Sequence, residues 1–266
     1  MGEKFHPEYL IMTVLEIDAG NSRIKWRVQG YAAGQKKQLA KGVFVAARQP
    51  EDLAADLDRL LASLADMAID KVLVSNVRGK TFAAELEACC KRQLDTDPVF
   101  AKIENHQNGV SSSYTEPGRM GIDRWLAMQS VYAGNRAAAC IVDCGSAMTI
   151  DLLNADGQHG GGFIVPGLTL LQSSLHSSTA ELPFQAAQHY AIEPGASTSQ
   201  AIQHGAINMQ LGMLQRVYRN WATQRQWYLC GGDAELLASF IEWPCSLQPD
   251  LVLDGLELVC GTDREL

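Results

Sequence analysis

The stretches L-E-I-D-A-G-N-S-R-I (15–24) and C-I-V-D-C-G-S-A-M-T (140–149) determine the fold class of this sequence. Each is an apolar strand that ends in Asp-x-Gly and a small polar residue, so Asp18 and Asp143 occupy matching positions. In both halves, two further β segments follow, and alternating helical and β patterns come after them. The sequence therefore predicts an α/β protein built from two copies of one β-β-β-α-β-α-β unit.

The boundaries of the two copies follow from the same patterns. Met12 opens the first strand pattern, so residues 12–135 are predicted to form an N-terminal domain, residues 136–266 a C-terminal domain, and residues 1–11 an N-terminal extension. The apolar run at 251–253 is predicted to be the last strand. A cleft between two such domains is the expected place for a ligand.

The composition excludes several classes of protein. With 47% hydrophobic and 20% charged residues, the chain of 266 residues is typical of a globular protein. Asp and Glu number 30 against 22 for Lys and Arg, and the formal charge of −8 argues against duplex nucleic acid or an anionic membrane as the main partner. Any phosphate chemistry must therefore depend on local groups.

Targeting and cysteine patterns indicate a cytoplasmic protein. No apolar run approaches the roughly 20 residues that span a bilayer, and the first residues, M-G-E-K-F-H-P-E-Y, are too polar for a signal peptide. The seven cysteines are odd in number and form no C-x-x-C pair. We therefore predict buried thiols and neither disulfides nor a zinc site.

The turn D-A-G-N-S (18–22) has the chemistry of a phosphate site. A glycine lets backbone N–H groups and the Ser22 hydroxyl approach a phosphate, and Lys25 can neutralise its charge. Asp18 would repel the phosphate unless a divalent cation, most simply Mg²⁺, lies between them. Asp-x-Gly is also ordinary turn chemistry. The second copy at 143–149 favours two turns that bind successive phosphates of a nucleoside triphosphate.

Two glycine-rich stretches have less specific patterns. L-C-G-G-D (229–233) offers exposed backbone on which a base or ribose could lie, or it is only a helix start capped by Asp233. G-G-G-F-I-V-P-G (160–167) is typical of a strand entrance and a proline turn. Neither matches the P-loop or the dinucleotide fingerprint.

The loop Y-T-E-P-G-R-M-G-I-D-R-W (114–125) is the candidate acceptor site. Asp123 could accept the proton of a substrate hydroxyl, and Arg124 could bind a carboxylate through two parallel hydrogen bonds. Alternatively, Asp123 caps a helix that begins near Arg124, and Arg124 forms a surface ion pair. Tyr114 and Trp125 either line a pocket or only pack.

Taken together, these motifs resemble the type III pantothenate kinases, which belong to the acetate and sugar kinase, heat-shock chaperone and actin superfamily. The resemblance runs from Met12 to about Gly261. Its motifs correspond to Asp18, Gly20, Asn21, Ser22 and Lys25; to Asp143, Gly145, Ser146 and Thr149; to Pro117, Gly121, Asp123, Arg124 and Trp125; and to the stretches 161–170, 197–205 and 229–236. Two departures are Ser146, where threonine is usual, and S-S-S-Y (111–114), which lacks the usual Asn-Gly or similar pair.

The resemblance implies two duplicated actin-like (ribonuclease H-like) domains, each a mixed five-stranded sheet with helices, and ATP-dependent phosphorylation of pantothenate in coenzyme A synthesis. It implies that Asp123 is the general base. The residues implied to bind pantothenate are Tyr114, Gly121, Ile122, Asp123, Arg124 and Thr198. Those implied to bind ATP are Asp18, Ala19, Gly20, Asn21, Ser22, Arg23, Ile24, Lys25 and Ser146.

The resemblance further implies that Asp143 holds a K⁺ or NH₄⁺ ion and that the protein is a homodimer in which Thr198 reaches the site of the other subunit. Two alternatives stay open at this point. The chain could be a kinase for another small hydroxy acid or a sugar. It could also be a non-catalytic nucleotide-binding regulatory protein of the same fold.

Overall fold

A computed structural model describes residues 12–32, 35–45, 50–178 and 190–261. The strands are β1 (Met12–Ala19), β2 (Arg23–Ala32), β3 (Gln35–Val45), β4 (Lys71–Asn76), β5 (Pro98–Phe100), β6 (Ala139–Cys144), β7 (Ala147–Leu153), β8 (His159–Pro166), β9 (Gln226–Cys230) and β10 (Ser246–Leu247). The helices are α1 (Pro50–Leu64), α2 (Lys80–Leu94), α3 (Ile122–Asn135), α4 (Leu168–Ser178), α5 (Thr198–Val217), α6 (Ala234–Ala238) and α7 (Leu251–Cys260). The predicted N-terminal extension, residues 1–11, lies outside the described residues.

The chain divides into two compact units that are each discontinuous in sequence. Of the described residues, the first unit contains those up to residue 108, residues 116–130 and those from residue 252 onward. The second unit contains residues 109–115 and the described residues between 131 and 251. The division at residues 135 and 136 stays a prediction for the domain boundary.

Each unit contains a five-stranded mixed sheet with the same strand order. In the first unit the order is β3-β2-β1-β4-β5, and in the second it is β8-β7-β6-β9-β10. The first three strands of each unit pair antiparallel with one another, and the last two run parallel to the central strand. The predicted duplication and fold class are therefore confirmed.

Strand alternation builds two apolar layers in the first unit. Leu15 and Ile17 on β1 are fully buried against α1 and α2. Val14, on the opposite face of the same strand, packs with Leu126 of α3 and with residues of α7. Because successive strand residues point to opposite faces, a strand covered by helices on both sides is apolar at almost every position.

The prediction of a strand at 251–253 is wrong, because these residues form the first turn of α7. Val252, Leu253 and Leu256 are buried at helical spacing, and a short apolar run does not distinguish a strand from a buried helix. The last strand is β10 instead, which pairs with β9. A Cβ on Gly255 would lie 2.6 Å from the carbonyl carbon of Leu126, so the glycine lets α7 approach α3 closely.

A buried ion cluster also connects α7 to the first sheet. Arg27 on β2 pairs with Glu16 on β1 and donates from Nη1 to Asp254 of α7 at 2.6 Å. Glu16 is fully buried and Arg27 almost so. Removing either Glu16 or Arg27 would leave the charge of the other buried without compensation, which destabilises the fold.

All seven cysteines are free thiols, and the predicted burial holds for five of them. Cys89, Cys90, Cys140, Cys144 and Cys230 are buried, while Cys245 and Cys260 are partly exposed. Within the described ranges, the structure contains no helix with the length and apolar character needed to cross a bilayer.

Candidate active site

The turn at residues 18–22, called the first phosphate turn after its predicted role, joins β1 to β2 at the end of a hairpin. Asp18 lies directly opposite Lys25 across the antiparallel pair, so the acid and the base that sequence analysis singled out are neighbours. The chain reverses over Gly20, Asn21 and Ser22. A Cβ on Gly20 would lie 2.9 Å from the carbonyl oxygen of Arg23, which explains why this turn requires glycine.

The residues of this turn separate into core and surface positions. Ala19 and Ile24 are fully buried, so only their backbone groups could take part in nucleotide binding. Asp18 and Lys25 are half-buried. The exposed residues of the turn are Asn21, Ser22 and Arg23.

The second phosphate turn repeats this geometry between β6 and β7. Asp143 lies opposite Thr149, and the turn closes with a hydrogen bond of 3.1 Å from the amide of Gly145 to the carbonyl of Ala147. Ser146 is exposed at the tip, and the half-buried Asp143 lies at its base. Asp143 and Ser146 thus occupy the positions in this hairpin that the alignment with Asp18 predicts.

Two glycines from separate motifs pack against the second turn. The amide of Gly167 donates to the carbonyl of Ser146 at 2.9 Å, and a Cβ on Gly167 would lie 2.7 Å from that oxygen. A Cβ on Gly231 would lie 2.6 Å from the carbonyl group of Cys144 and closer still to Asp143 Oδ1. Gly167 and Gly231 therefore enclose this turn.

Asp233 does not act as the helix cap that one interpretation predicted. It occupies the N-cap position of α6, but it makes no side-chain capping hydrogen bond. Its amide instead donates to the carbonyl of Cys144 at 3.0 Å. The loop after β9 is therefore connected by its backbone to the second phosphate turn.

The acceptor loop places its acid in the first turn of a helix. The helix α3 begins at Ile122, so Asp123 lies within it and not at the cap. Asp123 Oδ1 accepts from the amide of Arg124 at 2.8 Å and lies 2.5 Å from where a Cβ on Gly121 would be. The glycine of G-I-D-R-W thus makes room for the carboxylate, and the helix N-terminus stabilises its negative charge.

The residues that follow Asp123, Arg124 and Trp125, are buried. Arg124 is only 6% exposed, which excludes the alternative that it forms a surface ion pair. Ile122 packs against the apolar cluster that contains Val14 and Leu73. Trp125 is fully buried and donates from its indole to Gln107 at 3.3 Å, so it packs and does not line a pocket.

The loop before the acceptor segment is attached to the β7–β8 turn in the second unit. Ser111 accepts from the amide of His159 at 2.8 Å, and Ser112 Oγ accepts from the amide of Tyr114 at 3.1 Å. Ser113 Oγ lies 3.0 Å from Nδ1 of His159. Of the three serines that depart from the family pattern, Ser112 therefore holds the backbone of Tyr114, and Ser111 and Ser113 attach the segment to His159.

His159 and Asp151 form a buried pair that sequence analysis missed. His159 Nε2 lies 2.9 Å from Asp151 Oδ1, and both side chains are at most 2% exposed. The rings of His159 and Tyr114 have centroids 6.2 Å apart. The only sequence signal was a histidine and an acid at inward positions of two adjacent strands, which a pattern search for Asp-x-Gly does not find.

Thr198 is the first residue of α5 and is exposed. Ser197 caps this helix by accepting from the amide of Gln200 at 3.3 Å. The structure thus brings together Asp18 with Lys25, Asp143 with Ser146, and Gly121 with Asp123 and Arg124. Among the residues it describes, no group of three or more His, Cys, Asp or Glu side chains could hold a metal ion by itself.

Comparisons with known proteins agree with these motifs. The family model for type III pantothenate kinase matches residues 14–220. The chain belongs to the type III pantothenate kinase family. A relative from Marinobacter nauticus with that name is 34% identical over 93% of this chain and 98% of its own length. Another, from Aromatoleum aromaticum, is 35% identical over 94% of this chain and 98% of its own.

Solved structures with low sequence identity share the fold. A putative Baf family transcriptional activator from Campylobacter jejuni has a TM-score of 0.56 at 19% identity, covering 92% of this chain and 96% of its own. The ethanolamine utilization protein EutJ from Carboxydothermus hydrogenoformans has a TM-score of 0.53 at 15% identity, covering 93% of this chain and 89% of its own. The predictions of the family and of the enzyme class, a pantothenate kinase, are confirmed.

Proposed function

We propose that this type III pantothenate kinase transfers the terminal phosphoryl group of ATP to the primary hydroxyl of pantothenate, the first step of coenzyme A synthesis, with Asp123 as general base. The observation that supports this role most directly is the G-I-D-R-W geometry. The Asp123 carboxylate occupies the space beside Gly121 at the start of α3, next to the buried Arg124.

Asp123 would act on the acceptor hydroxyl. It accepts a hydrogen bond from the hydroxyl in the ground state and takes the proton late, as the bond from the hydroxyl oxygen to the terminal phosphorus forms and the bond to the ADP oxygen breaks. Arg124 would bind the pantothenate carboxylate through two hydrogen bonds, which are stronger where water is excluded. Tyr114, Gly121, Ile122 and Thr198 complete the proposed pantothenate contacts.

The two hairpin turns would bind ATP phosphates. Within residues 18–25 the exposed positions are Asn21, Ser22 and Arg23, and Ser146 is exposed in the second turn. Their backbone amides and hydroxyls, with the ammonium group of Lys25, would neutralise the charge that spreads over the transferred group. Mg²⁺ is usually bound by one or two carboxylates together with substrate phosphates, and the single half-buried carboxylate of Asp18 fits this mode. When bound, the ion would neutralise phosphate charge.

Three further features are part of the proposal. Asp143 would hold a monovalent cation, K⁺ or NH₄⁺, because its carboxylate lies between Gly145 and Gly231, where backbone oxygens are close. The enzyme would act as a cytoplasmic homodimer. The exposed position of Thr198 at the start of α5 is compatible with contact to a second subunit.

The test of the proposed function is ADP release by the purified enzyme with and without pantothenate. We expect pantothenate to stimulate ADP release strongly and other hydroxy acids or sugars to have little effect. The variant Asp123→Asn should lower kcat by about 100- to 10,000-fold, because proton transfer contributes on this scale, with nearly unchanged ATP binding.

The matched control is Glu116→Gln, since Glu116 is an exposed acid of the same segment, paired with Arg119. This variant should keep full activity. Turnover of Asp123→Asn at the wild-type rate would show that another group is the base, and ADP release without a response to pantothenate would remove the substrate.

A further inference from the structure

The loop that follows β4 contacts the first phosphate turn through an arginine. The strand β4 runs parallel to β1, and Asn76 pairs with Ala19 in register, so the next residues lie beside the turn. Arg78 Nη1 donates to the carbonyl of Asn21 at 2.7 Å and to the carbonyl of Gly20 at 3.3 Å. One guanidinium therefore binds two successive carbonyls of the turn.

This contact determines where two backbone donors point. In a trans peptide the carbonyl and the N–H of the same planar unit point in opposite directions. The carbonyls of Gly20 and Asn21 belong to the same peptide units as the amides of Asn21 and Ser22. Because both carbonyls turn toward Arg78, both amides turn away from it, together. In an extended strand successive N–H groups would point to opposite sides, whereas this contact favours two N–H groups on the same side of the turn, an arrangement suited to an anion.

Arg78 is itself held in place by its own loop. Asn76 Oδ1 accepts from the amide of Arg78 at 2.8 Å, and Asn76 Nδ2 donates to the carbonyl of Gly79 at 3.0 Å. The guanidinium also lies over the ring of Phe82, 5.5 Å from its centroid. Burial lowers the pKa of Arg78 from its usual value, but arginine stays charged at neutral pH.

The second unit uses a different device at the equivalent place. Ser75 pairs with Asp18 as Cys230 pairs with Asp143, so the loops after β4 and β9 correspond. After β9, Gly231 packs against the second turn, and the amide of Asp233 donates to the carbonyl of Cys144. After β4, the amide of Val77 donates to the carbonyl of Ala19 at 3.3 Å, and the Arg78 side chain adds a fixed positive charge.

We propose that Arg78 is a positioning residue for ATP: it orients the amides of Asn21 and Ser22 toward a phosphate group and strengthens them as donors. A carbonyl that accepts from a cation polarises its peptide unit, so the N–H on the other side becomes a better donor. The inference rests on the proposed function, because it assigns the anion as a phosphate of the nucleotide substrate.

The test compares Arg78→Met with Arg92→Met. Arg92 belongs to the same unit, and it bonds Asp58 at 2.7 Å on the helices away from the turn. We expect Arg78→Met to raise both the Kd for Mg·ATP, from calorimetry, and the KM for ATP by about tenfold, the scale on which hydrogen bonds to charged groups act. The KM for pantothenate should stay within about twofold. Arg92→Met should change none of these values.

A second variant keeps the proposal testable if Arg78→Met folds poorly. Arg78→Lys keeps the charge but loses the longer, planar guanidinium whose Nη1 reaches both carbonyls, so we expect an intermediate rise in the Kd for Mg·ATP. Wild-type affinity for Mg·ATP in folded Arg78 variants would overturn the proposal. An equal rise in both KM values would also overturn it, since that result indicates general loss of structure. The Kd comparison stands even if pantothenate proves not to be the acceptor.

Discussion

Gly231 is the residue whose substitution tests the second phosphate turn most sharply. Its φ of +92° lies in the left-handed region, and a Cβ there would lie 2.6 Å from the carbonyl group of Cys144 and closer still to Asp143 Oδ1. Gly161, in the same unit, has a φ of +100° but no atom within 4 Å of its Cβ position. The pair separates the cost of backbone conformation from the cost of crowding.

The expected losses of unfolding free energy follow from these two terms. A positive φ costs a residue with a side chain about 1–2 kcal/mol, so Gly161→Ala should lose about that much. Crowding in a packed site adds about 1–3 kcal/mol, so Gly231→Ala should lose about 2–5 kcal/mol in total. Gly231→Ala should also lower turnover, because Asp143 must move, while Gly161→Ala keeps turnover near the wild-type value.

The measurements are urea unfolding followed by tryptophan fluorescence, and pantothenate-dependent ADP release at saturating substrates. Equal free-energy losses in the two variants would refute the close approach of Gly231 to the turn. Full turnover by Gly231→Ala would show that the position of Asp143 does not matter for the reaction.

Two further predictions concern the serine loop and the thiols. Ser113→Ala removes the contact to His159 at 3.0 Å and should raise the KM for pantothenate a few-fold, with the KM for ATP unchanged. The control is Ser239→Ala, which changes an exposed serine and should alter neither KM. An unchanged KM for pantothenate in Ser113→Ala would count against a role for the loop in substrate binding. Burial raises the pKa of Cys89 to about 11 and of Cys90 to about 12. A thiol reagent at pH 8 should therefore leave both thiols unmodified in the native enzyme and label them in urea. Rapid labelling of either cysteine in the native enzyme, located by mass spectrometry, would contradict their burial.

Much of the fold was predictable because both halves of the chain contain the same local pattern, an apolar strand that ends in Asp-x-Gly. Asp18 and Asp143 each lie near the end of an apolar strand, and each sheet places its aspartate at the base of an equivalent turn, as the alignment indicated. The prediction of a strand at 251–253 was wrong because a run of three apolar residues is too short to show either helical or strand periodicity. Only the buried positions of Val252 and Leu256 one helical turn apart reveal α7.

The candidate site was predictable where its groups are near in sequence. Gly121, Asp123 and Arg124 lie within four residues, and their geometry follows from the start of one helix. His159 and Arg78 were missed because each acts on a segment distant in sequence. Arg78 reaches Asn21 across 57 residues, and His159 reaches Ser113 across 46.

The sequence by itself determined the two Asp-x-Gly turns, the acceptor motif and the family, because these depend on residue type and short spacing. Tertiary structure alone decided which groups support them. Strand pairing brings the loop after β4 to the first turn and places Gly231 against the second, and such pairings join segments that no local period connects. Which residues position the two turns depends on which segments of the chain become neighbours, and only the folded structure determines those neighbours.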